Sequence, residues 1–87
     1  MNISLTFHSD PSHGWLAVPM KMLREMGIHK LISSYSYMSL DGKMAYLEED
    51  CDAGVFLDAT EHNVKFVEKH TNYQSPIRNL KPFEVMK

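Results

Sequence analysis

The residues best suited to chemistry lie in one short stretch, AYLEEDCDAGVFLDA, at positions 45–59. It carries a run of carboxylates around Cys51, the only cysteine of the chain. These carboxylates are Glu48, Glu49, Asp50 and Asp52. Such a run is typical of an acid–base catalytic site, a metal site, a helix N-terminus or a surface that binds a basic partner.

Catalysis and metal binding are the weaker interpretations. Two carboxylates that share acid–base work need a cleft with different surroundings for each, and 87 residues leave little room for one. The run lacks the D-x-[DN]-x-[DN]-G spacing of a calcium loop. The five histidines include no H-x-x-x-H pair. We therefore predict a protein that is not an enzyme, with no catalytic residue, no metal and no cofactor.

Two interpretations of the acidic run stay open. Asp50 or Asp52 could cap a helix over 53–62, because a carboxylate at a helix N-terminus accepts hydrogen bonds from free N–H groups. Alternatively, the run forms an acidic surface that steers a basic partner.

The elements around this run can be predicted from the hydrophobic pattern. Ile3, Leu5 and Phe7 alternate with polar residues, which indicates a strand, and WLAV indicates a second one. Pro19 suits the first turn of a helix and Gly27 suits its left-handed end. After the acidic run, VKFVEKH predicts another strand.

The central segment predicts a β-hairpin. Asp41-Gly42 is a preferred pair for a two-residue type I′ turn. The period of two then gives the hairpin a core face and an outer face. The core face carries Ile32, Met38, Leu40, Ala45 and Leu47. The outer face carries Tyr35, Tyr37, Met44, Tyr46 and Glu48.

The tyrosines of the outer face are a candidate binding surface. Tyrosine and tryptophan are frequent in recognition surfaces, although tyrosine is also common in ordinary strands. The turn SHGW could add His13 and Trp15, unless Trp15 is a core residue. Arg78 could contact a phosphate. The predicted binding residues are therefore His13, Trp15, Tyr35, Tyr37, Tyr46, Glu48, Glu49, Asp50, Asp52 and Arg78.

Together these elements predict an α+β fold in the order ββ-α-ββ-α-β, an antiparallel sheet with two short helices. We expect one domain over 1–87, in which 72–87 is an extended C-terminal segment crossing the sheet. The segment has four candidate anchors: Tyr73, Ile77, Leu80 and Phe83.

Charge and composition narrow the class of partner. The net charge is −2 and the nine Lys and Arg residues are scattered, which disfavours nucleic acid. A single cysteine is typical of a reducing cytoplasm. The sequence shows no secretory signal and no long apolar run, so we expect a cytoplasmic protein without a membrane partner. Monomer and homodimer both remain open.

Two blocks carry a resemblance, HGW-x-x-VP at 13–19 and YLEEDCD at 46–52. With the residues between about 8 and 59, they resemble a family of small uncharacterised proteins of bacteriophages and other mobile elements. That resemblance implies a protein made in the cytoplasm of an infected host, and it brings no catalytic residues.

A second string, GWLAVPMKMLREMGI followed by a hairpin, is similar to AbrB-like swapped-hairpin transcription factors. Those proteins use basic residues near their first strands to bind DNA. Positions 8–18 of this chain contain no Lys or Arg.

The first resemblance, taken with the aromatic and acidic residues, implies a small accessory protein of phage type that binds and inhibits a component of the host or of its defence system, in the manner of an anti-CRISPR inhibitor. Its aromatic and acidic surface would dock on a basic or ligand-binding site of that protein. The alternatives are sequestration of a small nucleotide signal and DNA binding of the AbrB kind.

Overall fold

The computed structural model describes residues 3–61, 64–72 and 75–84. These residues form one α+β fold in the predicted order ββ-α-ββ-α-β, followed by one more short strand. Two 3-10 turns, His29–Leu31 and Pro76–Asn79, lie in the connections. The strands and helices are β1 (Ile3–Ser9), β2 (Gly14–Pro19), α1 (Met20–Glu25), β3 (Tyr37–Met38), β4 (Met44–Glu48), α2 (Asp52–Ala59), β5 (Val64–His70) and β6 (Lys81–Pro82).

The strands form a single mixed sheet in the order β5-β1-β2-β4-β3-β6. All neighbours are antiparallel except β5, which runs parallel to β1 over its full length. The prediction of an antiparallel sheet is therefore wrong at this edge. Helix α2 reverses the chain after β4 and carries it back, so β5 runs in the direction of β4 and hence of β1.

Helix α1 begins and ends where the sequence predicts. Pro19 precedes its first residue, and Gly27 lies beyond its last turn with a φ of 72°. The Gly27 N–H donates to the carbonyl of Arg24 at 3.0 Å, and the Ile28 N–H donates to that of Leu23 at 3.0 Å. This pair of bonds is a Schellman motif, which satisfies carbonyls at the helix end.

The central hairpin has the predicted register, with Tyr37 opposite Tyr46 and Met38 opposite Ala45. Alternation along its strands therefore separates a core side from an outer side. Four of the five predicted core residues are buried, namely Ile32, Met38, Ala45 and Leu47.

The turn of this hairpin is longer than predicted. A type I′ turn needs positive φ at both central residues. Gly42 has a φ of 73°, but Asp41 is not among the described residues with positive φ. The Gly42 N–H donates to the carbonyl of Ser39 at 2.9 Å, and the turn spans Leu40 to Lys43. Leu40 consequently lies in the turn and is 76 % exposed, so its prediction as a core residue is wrong.

Both helices pack on the same face of the sheet. Met20 and Leu23 of α1 and Phe56 of α2 belong to one buried cluster with inward-facing strand residues such as Leu16. Trp15 is also buried but lies outside that cluster, because neighbouring strand residues face opposite sides. The sheet therefore has a helix-covered face and a second face without helices.

The segment after β5 carries the chain from one edge of the sheet to the other. It contains a 3-10 turn over Pro76–Asn79 that Ser75 caps, and it ends as β6 beside β3. The Ser75 N–H donates to Asp10 Oδ2 at 3.0 Å. Two predicted anchors of this segment, Ile77 and Phe83, are buried, and Leu80 is partly buried. Tyr73 lies outside the described residues.

Candidate functional site: an aromatic and acidic groove

A groove opens on the face without helices, where β2, β3 and β4 lie side by side. Its volume is about 420 Å³. Trp15 of β2 pairs with Glu48 of β4, so the two side chains share this face. We call the feature the aromatic groove. It is lined by His13, Trp15, Tyr35, Tyr37, Glu48, Asp50 and Cys51.

The rings of the aromatic groove contact one another. The Trp15 ring lies edge-on to the Tyr37 ring, with centroids 6.3 Å apart and an angle of 69°. The His13 ring lies 6.0 Å from Trp15. Trp15 is 2 % exposed, whereas Tyr35 is 75 % exposed. Trp15 is therefore a buried residue that also lines the groove.

A buried carboxylate holds the turn that supplies His13. Asp10 Oδ1 accepts hydrogen bonds from the N–H groups of Ser12 and His13, at 2.9 and 2.8 Å. Its second oxygen accepts from Ser75, as described above. Asp10 is 6 % exposed. These bonds fix the turn against the C-terminal segment, so the position of His13 is set by the fold.

The side chain of Glu48 is held inside the groove. Its Oε2 accepts a hydrogen bond from the Asp50 N–H at 3.0 Å. Its Oε1 lies 3.8 Å from His13 Nδ1, and the side chain is 15 % exposed. Asp50 itself is exposed at the rim. The groove therefore presents one positioned carboxylate and one freely solvated carboxylate beside aromatic rings.

The remaining acids of the run do not join this groove. Glu49 lines a groove on the helix-covered face. Asp52 is 2 % exposed and belongs to the interior. The structure thus divides the predicted acidic surface among three environments.

Asp52 also differs from its predicted role as a helix cap. The N-cap position of α2 is Cys51, which makes no side-chain cap bond. Asp52 Oδ2 instead accepts hydrogen bonds from the hydroxyls of Ser33 and Ser36, at 2.6 and 2.5 Å. Its Oδ1 accepts from the Ser33 N–H at 3.1 Å. The carboxylate therefore ties α2 to the segment before β3, and Asp50, which is exposed, makes no cap either.

Besides Glu49 and Asp52, two more predicted residues are absent from the lining of the aromatic groove. Tyr46 lies on the same face, where its ring contacts His8 with centroids 5.9 Å apart. Burial, together with the positive charge of Lys69, lowers the pKa of His8 below its ordinary value of 6.5. The backbone of Arg78 lies in the 3-10 turn, but its side chain is outside the described part of the chain.

The groove on the helix-covered face was not predicted. We call it the helix-side groove; it lies between α2 and the β1–β5 edge and has a volume of about 230 Å³. It is lined by Phe7, Leu16, Glu49, Ala53, Leu57, Phe66 and Glu68. The alternation in VKFVEKH could have placed Phe66 and Glu68 on one face. Only the pairing of β5 with β1 brings them beside Phe7.

Two further findings concern metal ions and membranes, and both apply to the described residues alone. No group of three or more His, Cys, Asp or Glu side chains there is arranged to hold a metal ion. None of the described helices has the length and apolar character needed to cross a membrane.

The aromatic groove is suited to binding a cation. Tyrosine and tryptophan rings attract cations at their faces, and a carboxylate forms strong hydrogen bonds with an ammonium or guanidinium group. Comparisons with protein-family models, curated proteins and solved structures found no match to this chain. The assignment of a function therefore depends on the chemistry of the groove.

Proposed function

We propose that this chain is a small non-enzymatic binding protein whose aromatic groove receives a basic side chain of a partner protein. The observation that carries the proposal is the carboxylate of Glu48, held by the Asp50 N–H beside the rings of Trp15 and Tyr37. A positioned carboxylate next to aromatic rings is a combination that binds an arginine or lysine side chain.

Arginine is the best fit to this groove. Its planar guanidinium can stack on a tyrosine ring while it donates two parallel hydrogen bonds to a carboxylate. Tyr35 is exposed enough to offer its ring, and Glu48 is held in place by the backbone. Because the Glu48 carboxylate is already held, little of its conformational entropy is lost on binding.

Binding of this kind would inhibit the partner by occlusion. If the arginine belongs to a site that the partner uses for its own ligand, the bound protein covers that site. The resemblance to small proteins of bacteriophages and mobile elements favours a host protein or a component of host defence as the target, met in the host cytoplasm. Asp50 at the rim would steer the approach of a basic surface.

The groove favours a basic protein over a nucleotide signal or DNA. Aromatic rings could stack on a base, but Glu48 and Asp50 would lie close to the phosphates and repel them. A phosphate site usually offers Lys, Arg or backbone N–H groups. None of the side chains that line the aromatic groove belongs to Lys or Arg.

Tryptophan fluorescence provides a direct test. Trp15 is the only tryptophan of the chain and lines the groove, so its emission reports on occupancy. The probe is a short capped peptide with one arginine, and its control carries citrulline, which has the same shape without the charge. We expect the arginine peptide alone to change the emission. An equal response to citrulline would contradict a cation site.

A pair of neighbouring variants provides the matched control. Glu48→Gln removes the charge inside the groove, and Glu49→Gln removes the same charge on the opposite face. We expect the first to weaken binding of the arginine peptide about tenfold or more and the second to leave it unchanged. The same pair, used as baits in cells of the natural host, would identify partners retained by Glu49→Gln and lost by Glu48→Gln.

A further inference from the structure

Strand β5 forms an open edge of the sheet. Among the described residues it pairs only with β1, and the side chains from Lys65 to His70 are all exposed. The opposite edge, β6, is two residues long and contains Pro82. A long unpaired edge strand is a template for another strand, whereas a short edge with proline is protected.

The backbone of β5 alternates between its neighbour and the open side. The N–H of Thr71, directly after the strand, donates to the Ser9 carbonyl of β1 at 2.8 Å. In a parallel pair, alternate residues bond to the same neighbour, so Lys65, Val67 and Lys69 also direct their backbone groups to β1. The N–H and C=O groups of Phe66 and Glu68 therefore point to the open side.

The two faces of β5 carry different chemistry. On the helix-covered face, Phe66 is 48 % exposed and lines the helix-side groove with Glu68. On the other face, Lys65 and Lys69 flank Val67, which is 57 % exposed. A strand added to this edge would therefore meet an apolar and an acidic residue on one face, and two cations around an apolar residue on the other.

A second copy of the chain is a poor occupant. Antiparallel pairing of two β5 strands requires a twofold axis normal to the sheet, so one residue lies opposite its own copy. With Val67 at the axis, Lys65 lies opposite Lys69 of the second copy. With Phe66 at the axis, Lys65 lies diagonally beside Lys65 of the second copy. Like charges at these positions oppose the pairing.

We propose that β5 is a docking site for an extended, alternating segment of another protein, which adds as an antiparallel strand. Its acidic side chains lie opposite Lys65 and Lys69, and on the other face an apolar residue lies opposite Phe66 and a basic residue opposite Glu68. Backbone hydrogen bonds supply the attachment, and the charges on the two faces fix direction and register. This site is separate from the aromatic groove.

A synthetic strand tests the proposal. The probe is the capped peptide Thr-Glu-Lys-Val-Val-Glu-Thr, and its control is the charge-swapped Thr-Lys-Glu-Val-Val-Lys-Thr. We expect the probe to slow hydrogen exchange at the amides of Phe66 and Glu68, measured by NMR, while those of Lys65 and Val67 stay unchanged. The control peptide is net positive, so a nonspecific attraction to this acidic protein would favour the control over the probe. Equal binding of both peptides would overturn the proposal, as would shifts confined to the aromatic groove.

Charge reversal on the protein distinguishes an effect of the β5 lysines from an effect of the net charge of the protein. Lys65→Glu with Lys69→Glu should weaken binding of the probe about 3- to 30-fold and favour the charge-swapped peptide. Lys21→Glu with Lys43→Glu makes the same change in net charge at exposed positions away from β5. This variant should still bind the probe more tightly than the charge-swapped peptide. Because all four lysines are partly or fully solvated, both variants should fold, which circular dichroism checks. Loss of the preference in the Lys21 and Lys43 variant would overturn the proposal.

Discussion

Glu48 and Glu49 are consecutive in the chain, yet their side chains line grooves on opposite faces of the sheet. Glu48 is the last residue of β4, and the alternation of side chains along the strand directs it into the aromatic groove. The next residue is turned toward α2. The same Glu→Gln substitution can therefore be made on either face of the sheet, at two adjacent positions of the chain.

The first prediction uses this relationship to test the role of the acids in association. Glu48→Gln should slow binding to a basic partner and flatten the dependence of the association rate on salt, because it removes a charge that steers the approach. Glu49→Gln should leave both quantities near those of the unmodified protein. Stopped-flow measurements at two salt concentrations decide between these outcomes. Equal slowing by both variants would indicate a general effect of net charge.

The second prediction concerns the buried carboxylate of Asp52. Asp52→Ala should lower the free energy of unfolding by roughly 2–4 kcal/mol, because it leaves the buried Ser36 hydroxyl and the Ser33 groups without their acceptor. Asp50→Ala, at an exposed position, should change it by less than about 0.5 kcal/mol. Urea denaturation measures both. Similar losses in the two variants would contradict the buried role assigned to Asp52.

The third prediction contrasts two glycines. Gly42 has a φ of 73°, so Gly42→Ala should destabilise the protein by about 1–2 kcal/mol and Gly42→Val by about 1–3 kcal/mol. Gly54 lies within α2 with no atom near an added Cβ, so Gly54→Ala should stabilise by roughly 0.5–1 kcal/mol. Thermal unfolding should shift in opposite directions for the two alanine variants. A shift in the same direction would show that the turn or the helix is placed wrongly.

The fourth prediction concerns pH. The pKa of His8 is below its ordinary value of 6.5 in the folded protein, because of burial and the charge of Lys69. Below pH 6.5 the unfolded chain binds the proton more readily than the folded one, so His8 should make stability fall as the pH drops through its two pKa values.

Replacing the lysine should reduce that loss. Lys69→Gln removes the repulsion, so the pKa of His8 should rise and the decrease in stability between pH 7 and pH 5 should become smaller. An NMR titration of the His8 ring measures the pKa, and urea denaturation at both pH values measures the stability. His8→Gln is the control, since the part of the pH dependence due to this residue should disappear. An unchanged pKa of His8 in Lys69→Gln would contradict the contribution assigned to Lys69.

Local patterns predicted much of this fold because their causes are local. The alternation of β1, the limits of α1 between Pro19 and Gly27, and the register of the central hairpin all depend on residues a few positions apart. The turn residues Asp41 and Gly42 were located correctly. The type of turn was not, because it depends on the φ of Asp41, and aspartate is compatible with either sign.

Long-range pairing could not be predicted in the same way. Alternation in VKFVEKH shows which residues share a face but not which strand lies next to it, so neither the parallel β5 nor the helix-side groove could be derived. The partners of Asp52 are 16 and 19 positions away in the chain. From the sequence, a carboxylate between a strand and a helix could be a helix cap or a buried residue. Asp52 is buried because the segment before β3 packs against it and supplies its hydrogen-bond donors.

The open edge of the sheet changes its location while the chain is being made. Ser9 and His70 lie at the ends of β1 and β5 and are 61 positions apart. At usual rates of synthesis, roughly 3 to 12 s pass between the appearance of the two strands. During that interval β1 has only β2 as a neighbour, and its other side is exposed to the nascent chains around it. Among the described strands, the one with an unprotected edge is therefore β1 before β5 is made, and β5 once the sheet is complete.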